Sequence, residues 1–281
     1  MKPAPFEYCR PETLDETVAL LAEFGDDALV MAGGLSLGAL LNMRMVRPEA
    51  VIDINGLSGL DTIEVVGDEV RTGALARQAD ALASPICKEA LPLLIAGLGH
   101  VGHYQTRSRG TLCGSVAHAD PSAETALCLA TLGGDVELTS ARGVRRMPVD
   151  EFILGALATS REGDEMVTAL YWPAAIPGVR VAFEEISERH GDFAIVAAAA
   201  WVAPSDSGWR YGFGLGGVED RPLALRGTVS LAANSVDEIF EVLDLDLSPM
   251  SDRRASADYR RHLAEHLGKH VLRSVFGGAA T

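Results

Sequence analysis

The chain has 281 residues, of which 48% are hydrophobic and 22% charged, a composition typical of a globular protein with one large or two medium domains. Its 39 acidic and 24 basic residues give a net charge of −15, which argues against a nucleic-acid binder or a peripheral membrane protein, because both need a basic face. No apolar stretch is long enough to span a bilayer and the first residues do not resemble a secretory signal, so we expect a cytoplasmic protein.

The first 55 residues predict a compact unit in which a glycine loop follows a buried strand. Thr13–Glu16 matches a capping box, and the apolar residues after it recur at helical spacing. A short apolar run at Ala28–Met31 predicts a buried strand that leads into Gly33-Gly34. A helix over residues 39–44 and a second buried strand over residues 51–54 complete the unit.

Hairpins and helices alternate through the middle of the chain. Alternating polar and apolar residues around turn residues predict one hairpin over residues 62–72 and another over residues 136–147. Three helical patterns and a further strand are predicted over residues 78–83, 85–98, 122–131 and 165–171. Two prolines and a glycine at residues 173–178 are typical of a linker.

Beyond this linker the pattern is again that of antiparallel strands. Strands are predicted over residues 179–186, 194–203 and 209–215, of which the last two form a hairpin, and helices over residues 236–243 and 259–276. Ser235 is placed to cap the first of these helices. Because strands come mostly in hairpins separated by helices, rather than in repeated parallel βαβ units, the sequence predicts an α+β protein.

Two glycine-rich loops are candidate anion sites. The first is Gly33-Gly34-x-Ser36, between a strand and a helix, and the second is Gly110-Thr111-x-x-Gly114-Ser115. Glycine lets backbone amides approach an anion closely, and a helix N-terminus adds free N–H groups and a positive dipole end. Together the loops can grip one extended diphosphate, although a glycine pair after a strand is more often only a tight turn. Asp120 and Glu124 are candidate acceptors for ribose or ribityl hydroxyls, and Asp120 alternatively caps the following helix.

Other patterns have simpler explanations. The four cysteines are scattered without a CxxC pair, which favours buried thiols over a zinc or iron–sulfur site. The glycines ahead of Asp53 do not form GxGxxG, and residues 212–217 fit a strand and turn better than a nucleotide loop. His262, His266 and His270 recur at the spacing of a helical metal pair, but basic neighbours favour a solvated or interfacial stripe. We expect no metal site and no catalytic acid or base in this chain.

Six segments together resemble the FAD-binding medium subunit of molybdenum hydroxylases, a family with carbon monoxide, nicotine and quinoline dehydrogenases and the flavin domain of xanthine dehydrogenase. The segments are Phe6-Glu7-Tyr8-x-Arg10-Pro11, Ala32-Gly33-Gly34-x-Ser36-Leu37, Gly102-His103-x-Gln105-x-Arg107-x-Arg109-Gly110-Thr111-x-x-Gly114-Ser115-x-Ala117-His118-Ala119-Asp120-Pro121, Arg189-x-Gly191-Asp192-Phe193-Ala194, Gly216-Gly217-Val218 and Tyr259-Arg260-Arg261-x-Leu263. They span nearly the whole chain, and the third is long and specific.

The resemblance implies an FAD-binding domain at residues 1–175 and a smaller α+β C-terminal domain at residues 176–281. The first domain divides into two α/β subdomains at residues 1–55 and 56–175, as in the vanillyl-alcohol-oxidase (PCMH-like) fold. The positions expected to bind FAD are Val30, Met31, Ala32, Gly33, Gly34, Leu35, Ser36, Leu37, Val101, Gly110, Thr111, Leu112, Cys113, Gly114, Ser115, Asp120, Glu124, Arg161, Glu185, Asp192 and Phe193. The loops at residues 31–37 and 111–115 are expected to hold the diphosphate, the residues at 101, 120 and 124 to line the cofactor, and those at 192 and 193 to lie beside the isoalloxazine ring.

Three of these residues depart from the family pattern. Cys113 stands where glycine is usual, so its thiol either points away from the diphosphate or shifts the loop. Glu185 stands where lysine is common, which removes a cation from the flavin site. Arg161 stands where an apolar residue is usual, and either interacts with the flavin or an acceptor or lies in a solvated loop.

The resemblance also implies a function and partners. The chain is expected to receive electrons from [2Fe–2S] clusters on a small subunit, which are supplied by a molybdopterin centre on a large subunit. An external acceptor such as NAD, a quinone or O2 then takes them from FAD, and the assembly is expected to be a dimer of heterotrimers. Two alternatives stay open: a stand-alone FAD or NAD oxidoreductase, and a scaffold that keeps the fold but has lost FAD.

Overall fold

The computed structural model describes residues 2–206, 208–229, 236, 240, 243 and 245–277. The strands in this part are β1 (Glu7–Cys9), β2 (Ala28–Met31), β3 (Ala50–Asp53), β4 (Ile63–Val66), β5 (Glu69–Gly73), β6 (Asp135–Ser140), β7 (Gly143–Pro148), β8 (Ile153–Gly155), β9 (Ala158–Thr159), β10 (Met166–Pro173), β11 (Arg180–Ile186), β12 (Val196–Ser205), β13 (Gly208–Gly216) and β14 (Leu223–Val229). The helices are α1 (Leu14–Phe24), α2 (Leu35–Asn42), α3 (Gln78–Ala83), α4 (Pro85–Ala90), α5 (Pro92–Leu98), α6 (Tyr104–Arg107), α7 (Leu112–His118), α8 (Glu124–Leu132), α9 (Val149–Phe152) and α10 (Ala257–Phe276).

The N-terminal unit is a small parallel sheet with strand order β1-β3-β2. Its first helix, α1, begins where Thr13 Oγ1 accepts a hydrogen bond from the Glu16 amide (3.1 Å), as the capping pattern predicts. Leu21 and Ile52 are fully buried in the core between helix and sheet. The predicted strand Ala28–Met31 is found with the same bounds, whereas β1 carries no period-2 apolar signal and is absent from the prediction.

The middle unit is a five-stranded antiparallel sheet with strand order β4-β5-β10-β6-β7. The two predicted hairpins, β4–β5 and β6–β7, are confirmed, and β10 lies between them. Helices α4, α7 and α8 contact this sheet, and α3 and α5 pack on these helices. The core they share includes Leu94, Leu127 and Trp172. The Trp172 indole is fully buried and donates a hydrogen bond to Thr72 Oγ1 (2.9 Å), so its polar atom is satisfied.

The C-terminal unit is an antiparallel sheet with strand order β11-β12-β13-β14, covered on one side by α10. Its central strand β12 is rich in alanine, and the alternating side chains point to opposite faces. Ala197 and Ala199 join the core of the middle unit, whereas Ala198 and Ala200 join the core beneath α10. The sheet is therefore buried on both faces and locks the C-terminal unit to the rest of the chain.

Helices combined with mainly antiparallel sheets confirm the α+β class, but three predicted helices have other bounds in the structure. Residues 85–98 form two helices because Leu91 leaves the helical conformation (φ −130°, ψ 53°) and Pro92 starts the second. The helix predicted at 122–131 begins only at Glu124, and α2 begins at Leu35 rather than at residue 39. The helix predicted over residues 236–243 with Ser235 as its cap falls largely outside the described residues.

None of the described helices combines the length and apolarity that crossing a membrane requires. Within the described residues, no group of three or more His, Cys, Asp or Glu side chains is arranged to hold a metal ion. Residues 212–216 lie in β13, as expected of a strand rather than a nucleotide loop.

Candidate functional site

The first glycine loop joins β2 to α2 and leaves the N-terminus of that helix without a side-chain cap. Gly34 is the N-cap residue and has φ +74°, a conformation that glycine adopts without strain. No side chain accepts a hydrogen bond from the first turn of α2, so its leading N–H groups remain available. Ser36 and Leu37 follow in that turn and are half-buried, whereas Leu35 is exposed.

The second glycine loop ends at another helix N-terminus, that of α7. Thr111 is the N-cap, and its Oγ1 accepts a hydrogen bond from the Gly114 amide (3.0 Å). Gly110 leaves no room for a side chain, because a Cβ there would lie 2.6 Å from Gln78 Oε1. Gly114 is exposed and Ser115 half-buried. The sequence predicts a loop over residues 111–115, but residues 112–115 belong to α7.

The two loops touch each other, which brings both helix N-termini to one place. A Cβ built on buried Gly33 would lie 2.4 Å from the carbonyl oxygen of Arg109 and 3.0 Å from Gly110 Cα. Gly33 precedes the N-cap of α2 and Gly110 precedes the N-cap of α7. The positive ends of two helix dipoles therefore converge, and this arrangement suits a diphosphate. In α7 the Leu112 amide donates to the Ala76 carbonyl (3.1 Å) and the Gly114 amide to Thr111 Oγ1, so the free N–H groups come mainly from the first turn of α2.

Asn55 and Arg77 connect the two loops through hydrogen bonds. Neither residue is among those predicted from the sequence. Asn55 Nδ2 donates to the Ala32 carbonyl (2.7 Å), and Arg77 Nη2 donates to Asn55 Oδ1 (2.6 Å). Arg77 Nη1 completes the link by donating to the Arg109 carbonyl (2.5 Å). We call this pair the Asn55–Arg77 bridge. Burial and the charge of Arg109 lower the pKa of Arg77.

Asp53 orients the Asn55 side chain within this bridge. Its Oδ1 accepts hydrogen bonds from the amide of Asn55 (2.9 Å) and from Asn55 Nδ2 (2.5 Å), and its Oδ2 accepts one from the Tyr8 hydroxyl. Burial alone would raise the pKa of Asp53, but the hydrogen bonds from Tyr8 and Asn55 outweigh it, and the pKa is lowered. Asp53 is thus a structural acceptor and not the ribose ligand of a Rossmann fold.

Cys113 points away from the glycine loop. Its side chain is buried in the core of the middle unit, and its Sγ lies 3.6 Å from the Thr72 carbonyl. Burial raises the pKa of this thiol, so it stays uncharged. Leu112 beside it is also fully buried. The thiol therefore leaves the backbone of the second loop open to a ligand.

The predicted site residues around the start of α8 carry carboxyl groups. Asp120 Oδ1 accepts a hydrogen bond from the Ser122 amide (2.8 Å), so it closes a turn ahead of α8 and is not the helix cap. Glu124 is the first residue of α8 and is buried. Burial raises the pKa of Glu124 to about 8, and the nearby carboxylates of Glu185 and Asp120 add to the effect.

Glu185 lies in β11 and also carries a buried carboxyl group. Its side chain is only 4% exposed, and its Oε1 lies 3.7 Å from His100 Nδ1. Burial raises the pKa of Glu185 to about 7 and lowers the pKa of His100. Val101, the neighbour of His100, is also buried, and its carbonyl accepts a hydrogen bond from Arg107 Nη1 (2.7 Å).

Asp192 and Phe193 lie in the exposed loop between β11 and β12. Gly191 brings this loop against Gly102, because a Cβ at Gly191 would lie 3.0 Å from the Gly102 carbonyl oxygen. Arg254 Nη1 donates to the Phe193 carbonyl (3.1 Å), so the segment ahead of α10 holds the loop in place. The Phe193 side chain is half-exposed.

The structure does not bring Arg161 to these residues. Its Nη1 donates to carbonyl oxygens of its own loop, those of Glu162 (2.9 Å) and Glu165 (2.9 Å). The loop packs on Asp26, since a Cβ at Gly163 would lie 2.8 Å from the Asp26 amide. Asp26 precedes β2, whereas the first glycine loop follows it, and Val30 lies within that strand. Arg161 thus acts as a local support for its loop.

Comparison with known proteins gives a consistent result along the whole chain. Residues 4–175 match the family described as the FAD binding domain in molybdopterin dehydrogenase, and residues 181–275 match the CO dehydrogenase flavoprotein C-terminal domain. The nicotine 6-hydroxylase medium subunit of Paenarthrobacter nicotinovorans is 33% identical, with 100% of each chain covered. The carbon monoxide dehydrogenase medium chain of Hydrogenophaga pseudoflava is 30% identical, also over 100% of each chain.

Solved structures agree in fold as well as in sequence. A structure of carbon monoxide dehydrogenase from Hydrogenophaga pseudoflava superposes with a TM-score of 0.91 at 30% identity, over 99% of each chain. Quinoline 2-oxidoreductase from Pseudomonas putida 86 superposes with a TM-score of 0.89 at 31% identity, over 100% of each chain.

Proposed function

Because the chain belongs to the FAD-binding medium subunits of molybdenum hydroxylases, we propose that it relays electrons from [2Fe–2S] clusters on a small partner subunit to an external acceptor. The family assignment makes it an FAD-binding subunit of an oxidoreductase complex that includes a large and a small subunit. The complex oxidises its substrate at a molybdopterin centre on the large subunit and assembles as a dimer of heterotrimers. NAD, a quinone or O2 takes the electrons at the end.

The contact between the two glycine loops is the observation that carries the site assignment. We assign the FAD diphosphate to residues 30–37 and 110–115, where two helix N-termini meet. Leu112 and Cys113 contribute backbone only, because their side chains are buried in the core. When bound there, FAD supplies the electron-accepting chemistry, and the protein supplies binding, orientation and electrostatics.

The remaining walls are assigned to the rest of the cofactor. Val101 lines it from the segment after α5, Asp120 from the turn ahead of α8, Glu124 from α8 and Glu185 from β11, and the Asp192-Phe193 segment lies beside the flavin ring. The loop contact between Gly191 and Gly102 supports this grouping, because it places the last segment next to Val101. We leave Arg161 out of the binding set.

We also propose the domain division expected from the sequence, with an FAD-binding domain at residues 1–175, subdivided at residues 55 and 56, and a C-terminal domain at residues 176–281. Three separate hydrophobic cores support it, since each lies mainly in one of these segments. The site draws on all three, so loss of packing between them would weaken cofactor binding.

The test is to isolate the chain natively with whatever binds to it, denature it, and separate the released small molecules by chromatography. About one FAD per chain, together with co-purifying chains that carry molybdenum and iron–sulfur clusters, is the expected result. FAD without such chains would replace the proposal by a stand-alone oxidoreductase. A folded chain with no flavin would replace it by a scaffold.

A further inference from the structure

Glu185 has a buried oxygen with no partner. Its Oε2 is inaccessible to solvent and forms no hydrogen bond with any residue that the structure describes. Its Oε1 faces His100 Nδ1 at 3.7 Å, which is too long for a hydrogen bond. A buried acceptor or donor without a partner costs about 1–3 kcal/mol, so this atom is expected to meet a group from outside the chain.

Glu124 is another buried acid. It is the first residue of α8, whose N-cap Ala123 offers no side-chain cap. Burial raises the pKa of Glu124, and the charge of Glu185 adds to the rise. A buried carboxylate without a cation is costly, so such a group favours its protonated form.

No arginine or lysine among the described residues forms an ion pair with Glu185, and His100 after α5 is the titratable group that faces it. The charges of Glu185 and Asp120 act on Glu124 in α8, whereas those of Glu184 and of His190 in the loop after β11 act on His100. Burial lowers the pKa of His100, so the imidazole is neutral near neutral pH. Glu184 is on the opposite face of β11, where it approaches His270 (3.9 Å) and remains half-exposed.

We propose that the buried carboxyl of Glu185 is neutral when FAD is bound and donates a hydrogen bond to the cofactor. This inference rests on the proposed function, because it needs FAD at the site. A protonated carboxyl is a donor through its O–H group, as the ammonium of a lysine would be, but it loses this ability when it ionises. The consequence is that FAD binding depends on pH.

The sign of this dependence follows from linkage. FAD binds the form in which Glu185 is protonated, so each FAD that dissociates above the pKa of Glu185 leaves a carboxyl that releases its proton to solvent. The apparent dissociation constant then rises by up to tenfold per pH unit as Glu185 ionises. Below the pKa the constant is independent of pH.

The experiment measures the dissociation constant of FAD for the full chain, stripped of flavin, from about pH 6 to about pH 9, by the quenching of FAD fluorescence. Wild-type protein is expected to bind progressively more weakly towards the alkaline end. Glu185→Gln keeps a neutral donor that cannot ionise, so its constant is expected to stay at the low-pH value throughout. Glu184→Gln is the matched control and should retain the wild-type profile. Circular dichroism checks the fold of each variant.

Glu185→Lys gives a second reading if the glutamine variant does not fold, since a lysine there should also bind FAD without pH dependence in this range. A flat wild-type profile, or a Glu185→Gln profile as steep as that of the wild type, overturns the inference while the proposed function stands. Absence of FAD binding by wild-type protein at every pH overturns both.

Discussion

Replacing Gly33 by alanine would force the two glycine loops apart. The new Cβ would lie 2.4 Å from the Arg109 carbonyl oxygen, and ordinary contact begins at 3.4 Å, so the backbones must separate by about 1 Å. The three nearest atoms all belong to the backbone, hence no side-chain rotation can relieve the contact with them. Overpacking of this kind costs about 1–3 kcal/mol, and a displacement of about 1 Å at a binding site can reduce function 100-fold. We expect FAD affinity to fall at least tenfold.

The assay is the dissociation constant of FAD for Gly33→Ala, measured together with its thermal unfolding. Gly56→Ala is the control, because Gly56 is exposed, lies in the same N-terminal unit, and would place its Cβ 3.5 Å from the flexible end of Arg10. It should bind FAD as the wild type does. A Gly33→Ala variant with unchanged affinity would show that the contact between the loops does not shape the FAD site.

Three other substitutions test separate parts of the site. Asn55→Ala removes the hydrogen bonds to the Ala32 carbonyl and to Arg77. It should lower the free energy of unfolding by about 2 kcal/mol and the FAD affinity at least tenfold. Asn42→Ala, at an exposed position, is the control and should change neither value in the unfolding and binding assays. Cys113→Ala should lower the free energy of unfolding by about 1 kcal/mol and leave FAD affinity unchanged; a changed affinity would contradict the inward direction of the thiol. The flavin-free wild-type chain is expected to lose stability as the pH rises, and Glu124→Gln should lack the part of this loss that Glu124 causes. A buried acid with a raised pKa favours folding while protonated, so wild-type stability falls from about pH 4.5 through pH 8, and a variant with the same fall in urea unfolding would refute this cause.

The glycine loops could be predicted from the sequence because their chemistry is local. Glycine at the end of a strand and just ahead of a helix indicates, within a few residues, both the backbone conformation of the loop and the presence of free N–H groups. The Asn55–Arg77 bridge could not be predicted in this way. Each of its side chains bonds to carbonyl oxygens more than twenty residues away, and neither periodicity nor a motif marks such a contact.

The direction of Cys113 was also hidden, for a different reason. Residues 111–115 read as a loop, and a loop assigns no side to its residues. In the structure they begin α7, and Leu112, Cys113 and Val116 share the face that packs on the middle sheet. The burial of Glu124 and Glu185 could not be predicted either, since acidic residues are usually exposed and only the tertiary packing encloses these two.

The arginines around the site support the backbone. Arg77 donates to the Arg109 carbonyl, Arg107 to that of Val101, Arg254 to that of Phe193 and Arg260 to that of Ile195. Each of these four cations therefore holds a loop in position and is occupied with a carbonyl oxygen. In the proposed site, anion binding then falls mainly to free N–H groups at the helix N-termini, which require close backbone approach and hence glycine. Among the described residues no arginine or lysine pairs with Glu185, so we propose a proton as the counter-charge of its carboxyl group.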